Sequence, residues 1–242
     1  MIFSLENKTA IVTGSSKGNG LAIAKGLKDA GAEVIGLDIV ESEDCEINSI
    51  VCDVTNPESV DNALRNVINS YGKVDILINN AGVSYPSDFE DYPEDLWDMT
   101  YKVNLKAPFD LIKKIAKVMK DNNGGSIINI TSLNSELAFP NNPSYVAFKG
   151  ALKQLGKSAA VDLGKYNIRV NNVGPGYMMT DMTRKSWEDP KVCEERKNKT
   201  VLGRWGKPED LVGISVFLSS DSSSYITGQD IYVDGGWSIK GL

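Results

Sequence analysis

The chain has 242 residues, 41% of them hydrophobic, and a formal net charge of −6, which suits one α/β domain and is short for two. No run of Lys and Arg offers a footprint for nucleic acid, and no apolar stretch approaches the ~20 residues of a membrane span or the core of a signal peptide. Three cysteines, Cys45, Cys52 and Cys193, lack C-x-x-C spacing, so reduced thiols in a cytoplasm are expected.

Apolar runs that read as buried parallel strands alternate with helix-length segments along the whole chain. Ala10–Thr13 opens the series, and a helix over Leu21–Ala30 follows, closed by Gly31 as C-cap. The second and third strands are Glu33–Leu37 and Ser49–Cys52. The segment between them is too short for a crossover helix, so it is expected to be extended or a single turn. A helix over Glu58–Tyr71 leads to the strand Ile76–Ile78, and one over Val103–Lys120 leads to Ser126–Ile130. Tyr145–Lys165 is the next helix, then the strand Arg169–Val173. Thr180 to about Leu202 is charged and aperiodic, which suits a mobile substrate lid better than a solvated pair of surface helices. A helix over Pro208–Ser219 and a strand over Asp230–Val233 complete the pattern. The alternation predicts a single domain built on a doubly wound, seven-stranded parallel sheet with helices on both faces.

The first turn, Gly14-Ser15-Ser16-Lys17-Gly18, fits G-x-S-x-G, which places a nucleophilic serine on a strand-to-helix turn. The chain contains no histidine. Ser-His-Asp triads, H-E-x-x-H and imidazole metal sites are therefore out of reach, and no metal is expected. What remains is a glycine loop, Gly14, Gly18 and Gly20, placed to receive a pyrophosphate at a helix N-terminus.

Further motifs sit at the carboxyl ends of successive strands or on the helices that follow, where open parallel sheets bind ligands. They are Asp38, Asp53-Val54, Asn79-Asn80-Ala81-Gly82, Asn104 in YKVNL, Ser132, Tyr145 and Lys149 in YVAFK, and Pro175-Gly176 with Thr180. A Tyr and a Lys four residues apart are usually only a helix surface pair, and a lone Ser after a strand is usually a cap. Their combination is far more specific.

With this set the sequence resembles the short-chain dehydrogenase/reductase family from about Leu5 to Trp237. Its tail, GRWGKPEDLVGISVFLSS…ITGQDIYVDGGW, is similar to that of members acting on sugar acids and polyols, such as gluconate and deoxygluconate dehydrogenases. Two positions depart from the family pattern: Asn19 stands for an aliphatic residue and Phe148 for a small one. The resemblance implies a Rossmann-type fold, an NAD-dependent exchange between a secondary alcohol and a ketone, and a homotetramer paired through the Val103–Lys120 and Tyr145–Lys165 helices, with the C-terminal segment at a second interface. It implies Ser132, Tyr145 and Lys149 as the catalytic triad, with Asn104 completing a proton relay through a held water. NAD would be bound by Gly14, Ser16, Lys17, Gly18, Asn19, Gly20, Asp38, Ile39, Asp53, Val54, Asn80, Ala81, Gly82, Tyr145, Lys149, Pro175, Gly176, Met178 and Thr180. A small-molecule substrate would meet Ser132, Asn134, Asn142, Tyr145 and Tyr177. Phe109, Phe139 and Trp97 are expected in the core or an interface.

The chemistry fits these residue types. Tyrosine at a pKa of ~10 is a poor base near neutrality, and bringing it to about 7 needs about 4 kcal/mol of preference for the phenolate. A cation ~4 Å away at an effective dielectric of ~20 supplies about that much, and Lys149 shares a helical face with Tyr145. An oxidised nicotinamide would add to the effect. Asp38 can accept bonds from ribose hydroxyls and would repel a 2′-phosphate, whereas Lys17 favours one. Asp38, held by its strand, should prevail over a flexible lysine. Two rivals are a 3-oxoacyl-carrier-protein reductase, which would want NADPH and a basic patch, and a non-catalytic NAD-binding regulator, which would not need the Ser132, Tyr145 and Lys149 set.

Overall fold

The structure, a computed structural model, describes residues 2–42 and 44–240. Side-chain alternation within the strands sorts the core into two layers. In β1 (Thr9–Thr13), Ala10 and Val12 belong to one apolar cluster and Ile11 to the other. In β4 (Ile76–Asn79), Ile76 and Ile78 divide from Leu77 in the same way, as the two-residue period of a strand requires. Helices cover both faces. On one lie α1 (Gly18–Asp29) and α8 (Val212–Ser219), which bring Ile23, Leu27 and Leu218 to the sheet. On the other lie α2 (Pro57–Tyr71), α4 (Ala107–Asp121) and α5 (Pro143–Leu163), with Val60, Leu64, Leu111, Ile115 and Met119 packed against it.

The remaining strands are β2 (Glu33–Asp38), β3 (Asn48–Val51), β5 (Gly125–Ile130), β6 (Ile168–Pro175) and β7 (Asp230–Val233). All seven are parallel, in the order β3-β2-β1-β4-β5-β6-β7. The order reverses between β1 and β4, and this reversal opens a crevice at the carboxyl ends of the strands. The fold is the doubly wound Rossmann-type sheet expected from the alternation.

Local signals explain several element ends. Asn56 caps α2 by accepting the N–H groups of Glu58 and Ser59, Pro57 fits the first turn, and Gly72 closes the helix at φ 74°. Among the described residues no helix joins β2 to β3.

Three elements differ from expectation. The helix predicted over Val103–Lys120 is the second part of a longer run: α3 (Glu94–Tyr101), a π-turn over Lys102–Lys106, then α4. The aperiodic stretch after Thr180 forms two short helices, α6 (Arg184–Glu188) and α7 (Pro190–Lys199). Neither buries a residue, so no apolar stripe betrays them in the sequence. The helix predicted from Pro208 begins as a 3-10 turn, Pro208–Leu211, before α8. No helix among the described residues is long and apolar enough to cross a membrane.

Candidate active site

A cleft of about 410 Å³ lies where the strand order reverses. Every residue expected to bind the cofactor lines it, from Gly14 and the Ser16–Gly20 loop through Asp38, Ile39, Asp53, Val54 and Asn80–Gly82 to Pro175, Gly176, Met178 and Thr180. The loop is held from beneath. Thr13 Oγ1 accepts the N–H groups of Asn80 and Ala81, while Asn80 Nδ2 donates to the carbonyls of Thr13 and Gly14. Two glycines are dictated by this packing. Gly14 has φ +65°, and a Cβ there would sit 2.9 Å from Ala81 Cα; a Cβ on Gly20 would sit 2.0 Å from the Gly14 carbonyl oxygen.

The loop fits a dinucleotide. No side chain caps the start of α1 and its first turn holds no acidic residue, so its free N–H groups and positive dipole end are available to a pyrophosphate. Ser16, the serine of the G-x-S-x-G match, donates its hydroxyl to Asp38 Oδ2 at 2.7 Å, and its N–H reaches the same oxygen at 2.9 Å. That carboxylate braces the loop and lines the cleft where a ribose would lie. Lys17 is not free as expected: its Nζ lies 3.1 Å from Asp181 Oδ2.

At the other end of the cleft Ser132, Tyr145 and Lys149 come together. Ser132 follows β5 and caps a single 3-10 turn, Leu133–Ser135, accepting the Asn134 N–H at 3.1 Å. Tyr145 and Lys149 lie one turn apart on α5. Lys149 is almost fully buried, and its Nζ donates to the Ile130 carbonyl at 2.7 Å. A Cβ on Gly82 would stand 3.6 Å from that nitrogen and 3.4 Å from Asn104 Oδ1, so the glycine leaves the space in which the two groups approach.

The electrostatics depart from the expected lowering of the tyrosine. Burial raises the Tyr145 phenol above its ordinary value, with the Ser132 hydroxyl opposing the rise. Burial also pulls the Lys149 ammonium down to about 8. Lys149 Nζ lies 5.7 Å from the centre of the Tyr145 ring and is directed at Ile130. Desolvation therefore dominates both groups here.

Asn104, buried within the π-turn, accepts the Val83 N–H and donates to the Val83 carbonyl, both at 2.8 Å. Its side chain pins the loop after β4, leaving one lone pair and one N–H for any water. It does not line the cleft, and neither do Asn134, Asn142 or Tyr177. Asn142 donates to Ser84 Oγ at 2.8 Å. Tyr177 joins an aromatic cluster with Phe139, Trp205 and Trp237, its ring stacked on Trp237 at 5.1 Å. Trp97 packs edge-on against Phe148 at 4.9 Å, which explains how the bulky residue before Lys149 is accommodated. The cleft also takes in Asp181, Met182 and Thr183 from the start of the helix pair, with Cys52, Val83 and Val103. Their neighbours in sequence, Thr180, Asp53, Gly82 and Asn104, were the only pointers to them.

The sequence model of the family described as "Enoyl-(Acyl carrier protein) reductase" matches residues 14–238. The chain is 39% identical to a gluconate 5-dehydrogenase of Gluconobacter oxydans, over 99% of this chain and 98% of that one. It is 35% identical to an NAD-dependent glycerol dehydrogenase of Listeria innocua, over 98% and 96%. Among solved structures, a gluconate 5-dehydrogenase from Burkholderia cenocepacia in complex with NADP and tartrate superposes with a TM-score of 0.94 at 33% identity, covering 99% of this chain and 98% of that one.

Proposed function

The chain belongs to the short-chain dehydrogenase/reductase family, beside its gluconate-type members, and on that premise we propose that it is an NAD-dependent dehydrogenase of a sugar, sugar acid or polyol. The observation that carries this reading is the meeting of Ser132, Tyr145 and Lys149 at one end of a cleft whose other end is the glycine loop and Asp38. When bound, the nicotinamide accepts hydride from the alcohol carbon or returns it to the ketone.

The protein's own part is positioning and proton transfer. The glycine loop and the start of α1 take the phosphates, Asp38 the ribose hydroxyls, and Thr180 with Met178 the nicotinamide end. Ser132 Oγ holds the reacting oxygen, exchanging its 3.2 Å bond to Asn134 Oδ1 for one to substrate. Tyr145 gives a proton to that oxygen in reduction and removes it in oxidation. Lys149 stabilises the phenolate and, reaching the space kept by Gly82, returns protons from the Asn104 side.

The Asp38 carboxylate, held by its bonds to Ser16, supports NAD over NADP, although a related structure holds NADP. The helix pair of residues 180–202 acts as a substrate lid, since its first residues already line the cleft. Pairing through α4 and α5 across one two-fold axis, with the C-terminal segment at a second interface, gives a tetramer. Three free thiols suit the cytoplasm. A reductase of carrier-bound acyl chains, as the matched family's description reads, is disfavoured because a net charge of −6 would repel an acidic carrier. A panel of polyols and sugar acids, followed by NADH absorbance, tests the proposal; absence of NADH production with every member would overturn it.

A further inference from the structure

The chain has five arginines. Arg184 and Arg204 pair with Asp181 and Asp210, Arg65 meets Asn62, and Arg169 meets backbone carbonyls. Arg196, on α7, has neither an ion pair nor a hydrogen bond among the described residues, and its Nε is buried without an acceptor. Its guanidinium lies over the aromatic cluster instead: 4.4 Å from the centre of the Tyr177 ring, 5.8 Å from Trp237 and 6.0 Å from Phe139.

Two members of that cluster belong to segments that also line the cleft. Phe139 lies in the loop between Ser132 and Tyr145, and Tyr177 lies between Gly176 and Met178; the four flanking residues line the cleft, and the two aromatic rings stand behind it. Tyr177 is also close enough to act electrostatically on Tyr145. The aromatic faces stabilise the cation but offer no oxygen to its planar N–H groups. A guanidinium with an unmet buried donor is matched by a planar or tetrahedral anion that takes two of its N–H groups at once.

We propose that Arg196 recognises an anionic group, carboxylate or phosphoryl, at the end of the substrate remote from the reacting carbon, with Tyr177 and Trp237 as the floor beneath it. This rests on the polyol and sugar-acid reading above and narrows it to acidic substrates. Arg196 is then a specificity residue carried by α7 and already seated on the aromatic floor.

Three probes of similar carbon chain separate the possibilities: D-sorbitol, D-gluconate and D-sorbitol 6-phosphate. Binding to the NAD-loaded protein is read by calorimetric titration, and turnover from NADH. At least one anionic probe should bind at least tenfold tighter than sorbitol, and the preference should shrink as salt is raised. Gluconate alone would identify a carboxylate, sorbitol 6-phosphate alone a phosphoryl group. Arg196→Gln should remove the preference while leaving sorbitol and NAD binding within twofold. Arg196→Lys should keep part of it, and thermal unfolding of both variants reports on folding. A salt-insensitive preference in the wild type, a preference that survives in folded Arg196→Gln, or no preference at all overturns the inference and leaves polyol oxidation standing. No oxidation of any probe overturns the polyol reading, and this inference with it.

Discussion

Lys17 on the glycine loop and Asp181 at the start of the helix pair, both lining the cleft, are joined by an ion pair of 3.1 Å. Asp181 is shared with Arg184 at 2.5 Å. One residue earlier in the loop, Ser16 is held by Asp38. Two carboxylates thus hold two consecutive loop residues, one from the end of β2 and one from the start of the helix pair.

This arrangement bears on cofactor choice. With Asp38 in place and Lys17 engaged by Asp181, NAD(H) should bind at least tenfold tighter than NADP(H), which corresponds to ~1.4 kcal/mol. Asp181→Asn releases Lys17 to meet a 2′-phosphate, so NADP(H) affinity should rise by roughly threefold with NAD(H) unchanged, a modest effect in keeping with an exposed pair. Titrating both cofactors into the two proteins checks this. Equal affinities in the wild type would refute the role given to Asp38.

Tyr145→Phe keeps the ring and removes the proton-carrying oxygen. NAD should still bind, and turnover should fall by at least ~10²-fold. Burial holds this phenol above 10, so without cofactor it is a proton donor throughout the neutral range. Oxidation, which needs it deprotonated, should therefore rise with pH. An ultraviolet titration of the cofactor-free protein, compared with the Phe variant, should find the tyrosinate signal of Tyr145 only above pH 10. A signal near pH 7 would contradict the structure.

Lys149 makes a prediction about stability. Its ammonium is pulled from 10.5 to about 8 by burial, so below pH 8 the folded state bears a penalty of roughly 3 kcal/mol. Between about 8 and 10.5 the unfolded chain keeps a proton that the folded one has released, and stability climbs with pH. Lys149→Met abolishes this climb. After the lost bond to Ile130 is counted, the inactive variant should be more stable than wild type at pH 7 by about 1 kcal/mol, with the difference shrinking by pH 9.5. Urea unfolding at the two pH values decides it; a pH-independent difference would mean that the ammonium carries no burial penalty.

Phe109 on α4 is 43% exposed and Val161 on α5 is 81% exposed. Both lie on the helices expected to pair across a two-fold axis. Light scattering at micromolar concentration should give the mass of a tetramer. Phe109→Asp combined with Val161→Asp should lower it, and a wild-type monomer would rule the pairing out.

That the residues expected to bind cofactor would line one cleft was legible because most of them sit at strand ends, where position in the chain fixes position in space. Asp38, Asn80 and Ser132 each follow a buried apolar run, and the sheet order then gathers them. The placement of the residues expected to meet substrate was less so, since Asn134, Asn142 and Tyr177 do not line the cleft. Asn142 and Tyr177 lie on loops whose course depends on packing between distant segments, such as Tyr177 against Trp237. The two ionisation shifts were also hidden, since motif spacing gives the contact between Tyr145 and Lys149 but not the loss of water around them. Helix α3 was missed and the surface pair α6 and α7 ranked second to a mobile lid, because their apolar stripes are short or absent and periodicity had little to register.

The π-turn at Lys102–Lys106 sets the angular phase between the two halves of one helical run. Ala107 donates to Lys102, five residues back, so the run carries one residue more than an unbroken α-helix would. Each α-helical residue turns the chain by about 100°. Removing a single residue here would therefore act as a wrench: with Leu111, Ile115 and Met119 seated against the sheet, α3 would swing by that angle. Trp97 would leave Phe148, and Thr100 would leave the hydroxyl of Ser144 that it meets at 3.2 Å. Asn104 would be carried away from Val83. Along this stretch the chain tolerates a change of side chain more readily than a change of count.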